Sequence, residues 1–241
     1  MKFSYFTNED CYHADGVVVV IDVLRAFSTA AYAFGAGAES ITLVSEVNEA
    51  LVLKAKMQNA LVMGEVNGVK PGKFDYGNSP TEIVRQNLTG RHMIQRTSAG
   101  TQGVVRSLKA EKLFTASFVV ADATMRAIQH LEPEEVSFVI TGRYFDGEDK
   151  ACADYLAACF QGKHPDPEPY LVLVREASEL THMPPEDFPD IASDVDYCTR
   201  LNVFPFAMPI TREQGNLSCA PQYPEPKPVT GEAYVHSCRS S

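Results

Sequence analysis

Residues Val17–Ile21 are five consecutive apolar, β-branched residues, and the run ends at Asp22. Such a run reads as a strand covered on both faces, the situation of a parallel sheet packed between helices. The next segment, Ala26–Phe34, is helical in pattern, so Asp22 and Arg25 stand where a buried strand hands over to a helix. In open α/β sheets ligands bind at that carboxyl end of the strands. An acid and a base placed there invite a charged ligand or a metal. The competing reading is a plain helix N-cap at Asp22, with Arg25 paired to it or to a surface carboxylate.

The same alternation continues along the chain. Lys2–Phe6 reads as a short edge strand, and Ile41–Val44, Ala60–Met63, His92–Arg96, Lys112–Thr115 and Val136–Ile140 read as further strands. Helices are expected over Ser45–Met57, from Ser79, from the 97–101 turn to about Leu108, from Ser117 to about His130, and up to Phe160. At Ser79 two signals agree: a serine cap with Glu82 three residues on, and Pro80 at the first helical position. This βα rhythm from 17 to 161 implies an α/β fold, a three-layer α/β/α sandwich with a mostly parallel sheet. The stretch His164-Pro-Asp-Pro-Glu-Pro169 breaks the rhythm. Residues 1–161 therefore form the main domain, and 162–215 a smaller C-terminal cap or a continuation of the same fold. That second region holds helices at Tyr170–Leu180 and Pro185–Tyr197 and an extended segment at Phe204–Ile210. Residues 216–241 have the composition of a partly disordered tail. No internal repeat is visible.

Composition narrows the partners. Net charge is −10, with no basic stripe, which argues against nucleic acid. No apolar run approaches the ~20 residues of a membrane span, and the first ten residues lack a signal-peptide core. A cytoplasmic protein is expected, with its six scattered cysteines reduced and no structural zinc. Acidic α/β chains of this size are often dimeric, so a homodimer is an open expectation.

The polar clusters fall after four strands. If those strands are parallel, Asp22, Arg25, Glu65, Asp75, Asn78, residues 97–101, Arg143, Asp146 and Asp149 converge on one rim. Thr97-Ser98-Ala99-Gly100-Thr101 suits an anion: small residues let backbone N–H groups approach, hydroxyls donate, and a helix follows. An ordinary capped βα turn is the bland alternative. Asp22, Glu65, Asp75, Asp146 and Asp149 are hard oxygen donors of the type Mg²⁺ takes. Gly35-Ala-Gly37 is not a dinucleotide fingerprint, and there is no P-loop, HExxH or GxSxG pattern. Cys152, just inside a helix at the rim, reads as a packing residue.

Taken together, Val20-Ile-Asp22-Val-Leu-Arg25-Ala, Gly64-Glu65, Phe74-Asp75-Tyr-Gly77-Asn78-Ser79-Pro80, Thr97-Ser-Ala-Gly100-Thr101, Gly142-Arg143 and Glu148-Asp149 with Cys152-Ala153 resemble the 2-phosphosulfolactate phosphatase (ComB-like) family. The resemblance implies a Mg²⁺-dependent phosphatase acting on a small phosphorylated acid, 2-phosphosulfolactate, to give sulfolactate and phosphate. It places Asp22, Arg25 and Arg143 as catalytic residues. Asn78, Thr97, Ser98, Gly100 and Thr101 would bind substrate, and Asp22, Glu65, Asp75 and Asp149 the metal. Asp22 as ligand or as nucleophile stays open: the haloacid dehalogenase pattern needs a second aspartate where Leu24 stands. A related hydrolase with another substrate, and a non-catalytic anion binder, are the alternatives. The chain departs from the family at Ser98-Ala99, at Asp154, and at Lys70 and Lys73 in the 66–73 loop.

Overall fold

The computed structural model describes residues 1–142, 144–180, 190–213 and 215–225. In chain order the elements are β1 (Lys2–Thr7), β2 (Asp15–Ile21), α1 (Ala26–Gly35), β3 (Ser40–Leu43), α2 (Val47–Lys56), β4 (Ala60–Gly64), α3 (Pro80–Ile83), β5 (His92–Arg96) and α4 (Gly100–Arg106). Then come β6 (Lys109–Ala116), α5 (Ala121–Gln129), β7 (Glu135–Ile140), α6 (Glu148–Phe160), α7 (Glu168–Leu180), α8 (Ile191–Cys198), β8 (Met208–Glu213) and β9 (Asn216–Cys219). The strands make one sheet in the order β1-β7-β2-β6-β8-β9-β3-β5-β4.

The apolar run in β2 does what its composition requires. Val17, Val19 and Ile21 enter a core shared with α5, α6 and α7. Val18 and Val20 point the other way, into a core built with α1 and with Val104 of α4. Side chains alternate across a strand, so a run without polar residues needs cover on both faces. A third, smaller core packs α2 against Val62 of β4 and Ile94 of β5. The α/β/α layering expected from the sequence is the observed architecture.

The centre of the sheet differs from a simple parallel stack. β8 pairs antiparallel with β6 and with β9, and β9 pairs antiparallel with β3. The parallel groups β1-β7-β2-β6 and β3-β5-β4 therefore run in opposite directions. The 204–210 segment becomes strand only from Met208, and the partner strand β9 escapes a sequence reading that starts the tail at 216. Gly215, at φ +84, sits in the turn between them. Beyond β9, Ala207 and Gln222 exchange two backbone hydrogen bonds of 2.8 and 2.9 Å. Ser79 caps α3 by accepting from the Glu82 amide at 3.1 Å, but that helix is a single turn. The helix expected at 185–197 runs over Ile191–Cys198, with 185–189 outside the described residues. Residues 226–241 of the tail also lie outside them.

The chain traces one path twice. β2-α1-β3-α2-β4 and β5-α4-β6-α5-β7 each begin in one parallel group and cross to the other through their first helix. α1 and α4 cross on the same face of the sheet and pack together. The repeat is invisible in the sequence because it lies in the route: Asp22-Val-Leu-Arg-Ala26 occupies the place that Thr97-Ser-Ala-Gly-Thr101 takes in the second run.

Candidate active site

Two equivalent turns build the site. After β2, Asp22 Oδ1 accepts the Ala26 amide at 2.9 Å. After β5, Thr97 Oγ1 accepts the Thr101 amide at 3.0 Å, and Thr101 Oγ1 accepts the Thr97 amide at 2.9 Å. Each turn is then pinned by a carboxylate that follows a neighbouring strand, from the first turn of α6 after β7 and from the loop after β4. Asp149 Oδ1 accepts the Val23 amide at 2.7 Å, and Glu65 Oε1 accepts the Ser98 amide at 2.5 Å. Val23 and Ser98 hold the same place in the two turns, one residue after the side chain that closes each.

The turns meet at Gly100. A Cβ on Gly100 would lie 2.6 Å from Asp22 Oδ2 and 2.9 Å from Ala26 Cβ, so only glycine permits this approach. In a flat sheet β2 and β5, five positions apart, would be separated by roughly 24 Å. Twist of the sheet and the crossing of α1 and α4 bring their ends together instead. Gln95 of β5 donates to the Ala26 carbonyl at 2.8 Å across the same junction. Asn8, which carried no signal in the sequence, ties the rim by donating to the carbonyls of Ala99 at 3.3 Å and Thr141 at 3.4 Å. The convergence expected on one rim thus arises from two opposed groups of strands.

Negative charge is concentrated here. Burial pushes the Asp22 carboxyl up to about 6, and the Glu65 and Glu148 carboxylates add to the effect. Burial, then Glu148 and Asp22, hold Asp149 well above the ordinary carboxylate range. Burial also raises Glu148. A Cβ on Gly142 would lie 3.2 Å from Asp149 Oδ2 and 3.6 Å from Glu148 Oε1, so both carboxylates close over that glycine. A group of desolvated carboxylates is stabilised either by keeping protons or by taking up a cation.

The structure places the sequence-derived candidates differently from one another. Asp22 and Asp149 are brought together, with Glu65, which follows β4 and holds the second turn, acting on Asp22, and Glu148, not singled out as a ligand, joining them. Thr97, Ser98, Gly100 and Thr101 form the second turn, but the two threonine hydroxyls, both buried, are spent on each other's backbone. Ser98 Oγ donates to Glu65 Oε2 at 3.0 Å. Asn78 is buried and its Oδ1 has no hydrogen-bond partner among the described residues. Arg25 reaches Asp194 at 2.5 Å. Arg143 lies outside the described residues.

Asp75 is the candidate that the structure does not bring to the cluster. It accepts from Lys54 Nζ of α2 at 2.7 Å and from the Val62 amide of β4 at 2.7 Å. A half-buried carboxylate spent on a lysine and a strand amide fastens a loop to its helix. Asp75→Ala is expected to keep at least about half the wild-type catalytic rate and to lose about 1–2 kcal/mol of stability in urea unfolding. Loss of activity at unchanged stability would return Asp75 to the site. A hollow of about 400 Å³ between α5, α6 and residues 162–165 contains none of these candidates.

An α/β/α sandwich carrying buried carboxylates where two crossover helices begin is the frame of an enzyme that handles a charged small molecule. A model of the family described as 2-phosphosulpholactate phosphatase matches residues 5–213, and the chain belongs to that family. Among its relatives is a Bacillus subtilis protein named "probable 2-phosphosulfolactate phosphatase", 32% identical over 81% of this chain and 87% of its own length. A Carboxydothermus hydrogenoformans protein of the same name is 33% identical over 78% of this chain and 84% of its own. One from Thermoplasma volcanium is 28% identical over 88% and 91%. Among the described residues, no helix is long and apolar enough to cross a membrane.

Proposed function

We propose that the chain is a Mg²⁺-dependent phosphatase that hydrolyses a small phosphorylated acid, 2-phosphosulfolactate, to sulfolactate and phosphate. Family membership supports the phosphatase reading. The observation that carries it into the chemistry is the crowding of Asp22, Glu148 and Asp149, all raised as acids, at the junction of the two turns.

These donors fit Mg²⁺ by type. They are hard oxygens, and the burial that raises all three, with the repulsion that adds to it at Asp22 and Asp149, is offset by a dication. Among the described residues no three acidic, histidine or cysteine side chains already form a metal cage. Mg²⁺ commonly uses one or two carboxylates and completes its shell with water and phosphate oxygens, so an open acidic set suits it. Asp22, Asp149 and Glu148 would hold the ion. Both Glu65 oxygens accept loop amides, those of Ser98 and Gly68, and the two Asp149 oxygens accept the Val23 amide and the Thr141 hydroxyl, so each shapes its turn and would meet the ion only with its remaining lone pairs. Bound there, the ion would polarise the phosphoryl oxygens and offset charge as the ester breaks.

The protein's own groups do the rest. Gly100 lets the second turn lie directly against Asp22, which brings the two helix starts to one place. Arg25 supplies a fixed cation one helical step from Asp22, suited to an anionic ester. The unpartnered Asn78 carbonyl is a buried acceptor that a bound donor would satisfy. The test is phosphate release from a panel of phosphomonoesters including 2-phosphosulfolactate, with Mg²⁺ and with chelator. Release from the sulfonated ester that stops with chelator and returns with Mg²⁺ is the expected result. Equal rates in chelator would remove the metal. Preference for another ester would reassign the substrate, and no release from any ester would leave an anion-binding protein.

A further inference from the structure

Arg25 is held by a residue 169 positions away. Asp194, on α8, is fully buried, and its Oδ2 accepts Arg25 Nη1 at 2.5 Å. Its other oxygen accepts Ser79 Oγ at 2.7 Å and the Thr81 amide at 2.9 Å. Next to it, Thr81 Oγ1 donates to Ser193 Oγ at 3.0 Å. One carboxylate thus joins the start of α1, the start of α3 and α8. Cys198, one turn further along α8, feels the charges of Asp194, Arg25 and Asp22 together, which puts all three in one neighbourhood. α3 is a single turn and cannot fix the 78–81 loop by itself, so the loop carrying Asn78 depends on the same carboxylate.

We propose that Asp194 is a positioning residue that orients the Arg25 guanidinium toward the substrate anion and sets the Asn78 loop beside it, so that the C-terminal helix α8 completes the active site. This rests on the phosphatase reading above. A planar guanidinium bonded at one end to a buried carboxylate has few ways to turn, and its grip on an anion depends on that orientation. Asn at 194 keeps the acceptor for Ser79 and Thr81 but presents an amide to Arg25, so it removes the anchor while leaving the loop contacts possible.

The test is a double-mutant cycle of Asp194→Asn and Arg25→Ala. It is read on kcat and KM for the best phosphomonoester and, in parallel, on inorganic phosphate affinity by calorimetry. Asp194→Asn is expected to lower kcat/KM by about 10–100-fold, mostly through KM. On the Arg25→Ala background it should lower kcat/KM by less than about twofold, because the two residues act as one unit. If Asp194→Asn fails to fold, Asp194→Glu carries the same cycle, since it keeps the charge and moves the carboxylate by one methylene. Losses that simply add, or full activity with Asp194 replaced, would overturn the proposal while the phosphatase reading stands. A wild-type chain that releases no phosphate but binds it with the same non-additive dependence overturns the phosphatase reading and leaves the positioning role. Independence of phosphate affinity from both residues in such a chain overturns both.

Discussion

Asp22→Asn should lose phosphate release by about a thousandfold or more and yet unfold at the same or a higher temperature than wild type at neutral pH. The two halves of that result have one cause. The folded protein holds the Asp22 carboxyl at about 6, against 3.8 for the free group, because burial and the Glu65 and Glu148 charges disfavour the anion. Between those two values the folded chain keeps a proton that the unfolded chain has released. Stability therefore falls as pH rises through that window, and the cost at neutral pH is about 3 kcal/mol. Asparagine carries no charge to bury, and its oxygen can still accept the Ala26 amide. The wild-type melting temperature should accordingly rise as pH is lowered from 7 toward 4 by more than that of Asp22→Asn. Retained turnover would take Asp22 out of the chemistry. A variant clearly less stable than wild type at neutral pH would show that the carboxylate is satisfied rather than strained.

Gly64→Ala should be the most damaging single methyl group in the chain. Gly64 sits at φ +133, and a Cβ there would lie 1.9 Å from the Arg96 carbonyl oxygen and 2.8 Å from its carbon. Those atoms are backbone of β5, paired with Gly64 in the parallel register of β4 and β5, and the Glu65 amide donates to that same carbonyl at 2.9 Å. Nothing can rotate away, so the strands must part. A loss of about 3–5 kcal/mol is expected in the urea midpoint, combining an unfavourable φ with overpacking. Gly162→Ala is the control: it also has positive φ, +74, but nothing within 4 Å of the added carbon, and should cost only about 1 kcal/mol. Catalysis in Gly64→Ala should fall at temperatures where the variant remains folded, since parting β4 from β5 pulls Glu65 off the Ser98 amide. Equal losses for the two glycines would mean that β4 and β5 tolerate separation.

The layers were legible because they follow from local pattern. An unbroken β-branched run must be covered on both sides, and the later strands and helices repeat that logic. The carboxylates were legible by type and by their place after strands. What could not be read was which polar groups are already engaged. Thr97 and Thr101 look like ligands in a list of residue types, but four residues apart they close on each other. Asp75 meets Lys54 of the preceding helix, and the Arg25 partner comes from a helix near the other end of the chain. Asn8 acts through carbonyls of two loops that only the folded sheet brings together. The opposed direction of the strand groups was hidden for a related reason. It depends on a short hairpin of modest apolar content, whose place in the sheet is set by the edges waiting for it.

That hairpin has a consequence for biogenesis. Until residues 208–219 emerge from the ribosome, β6 and β3 each expose an unpaired edge, and the two parallel groups have nothing between them. From the completion of β6 at Ala116 until β8 arrives at Met208, a nascent chain therefore carries two sticky borders open to its neighbours, the condition that favours aggregation and chaperone capture. β8 and β9 are the keystone that seals both.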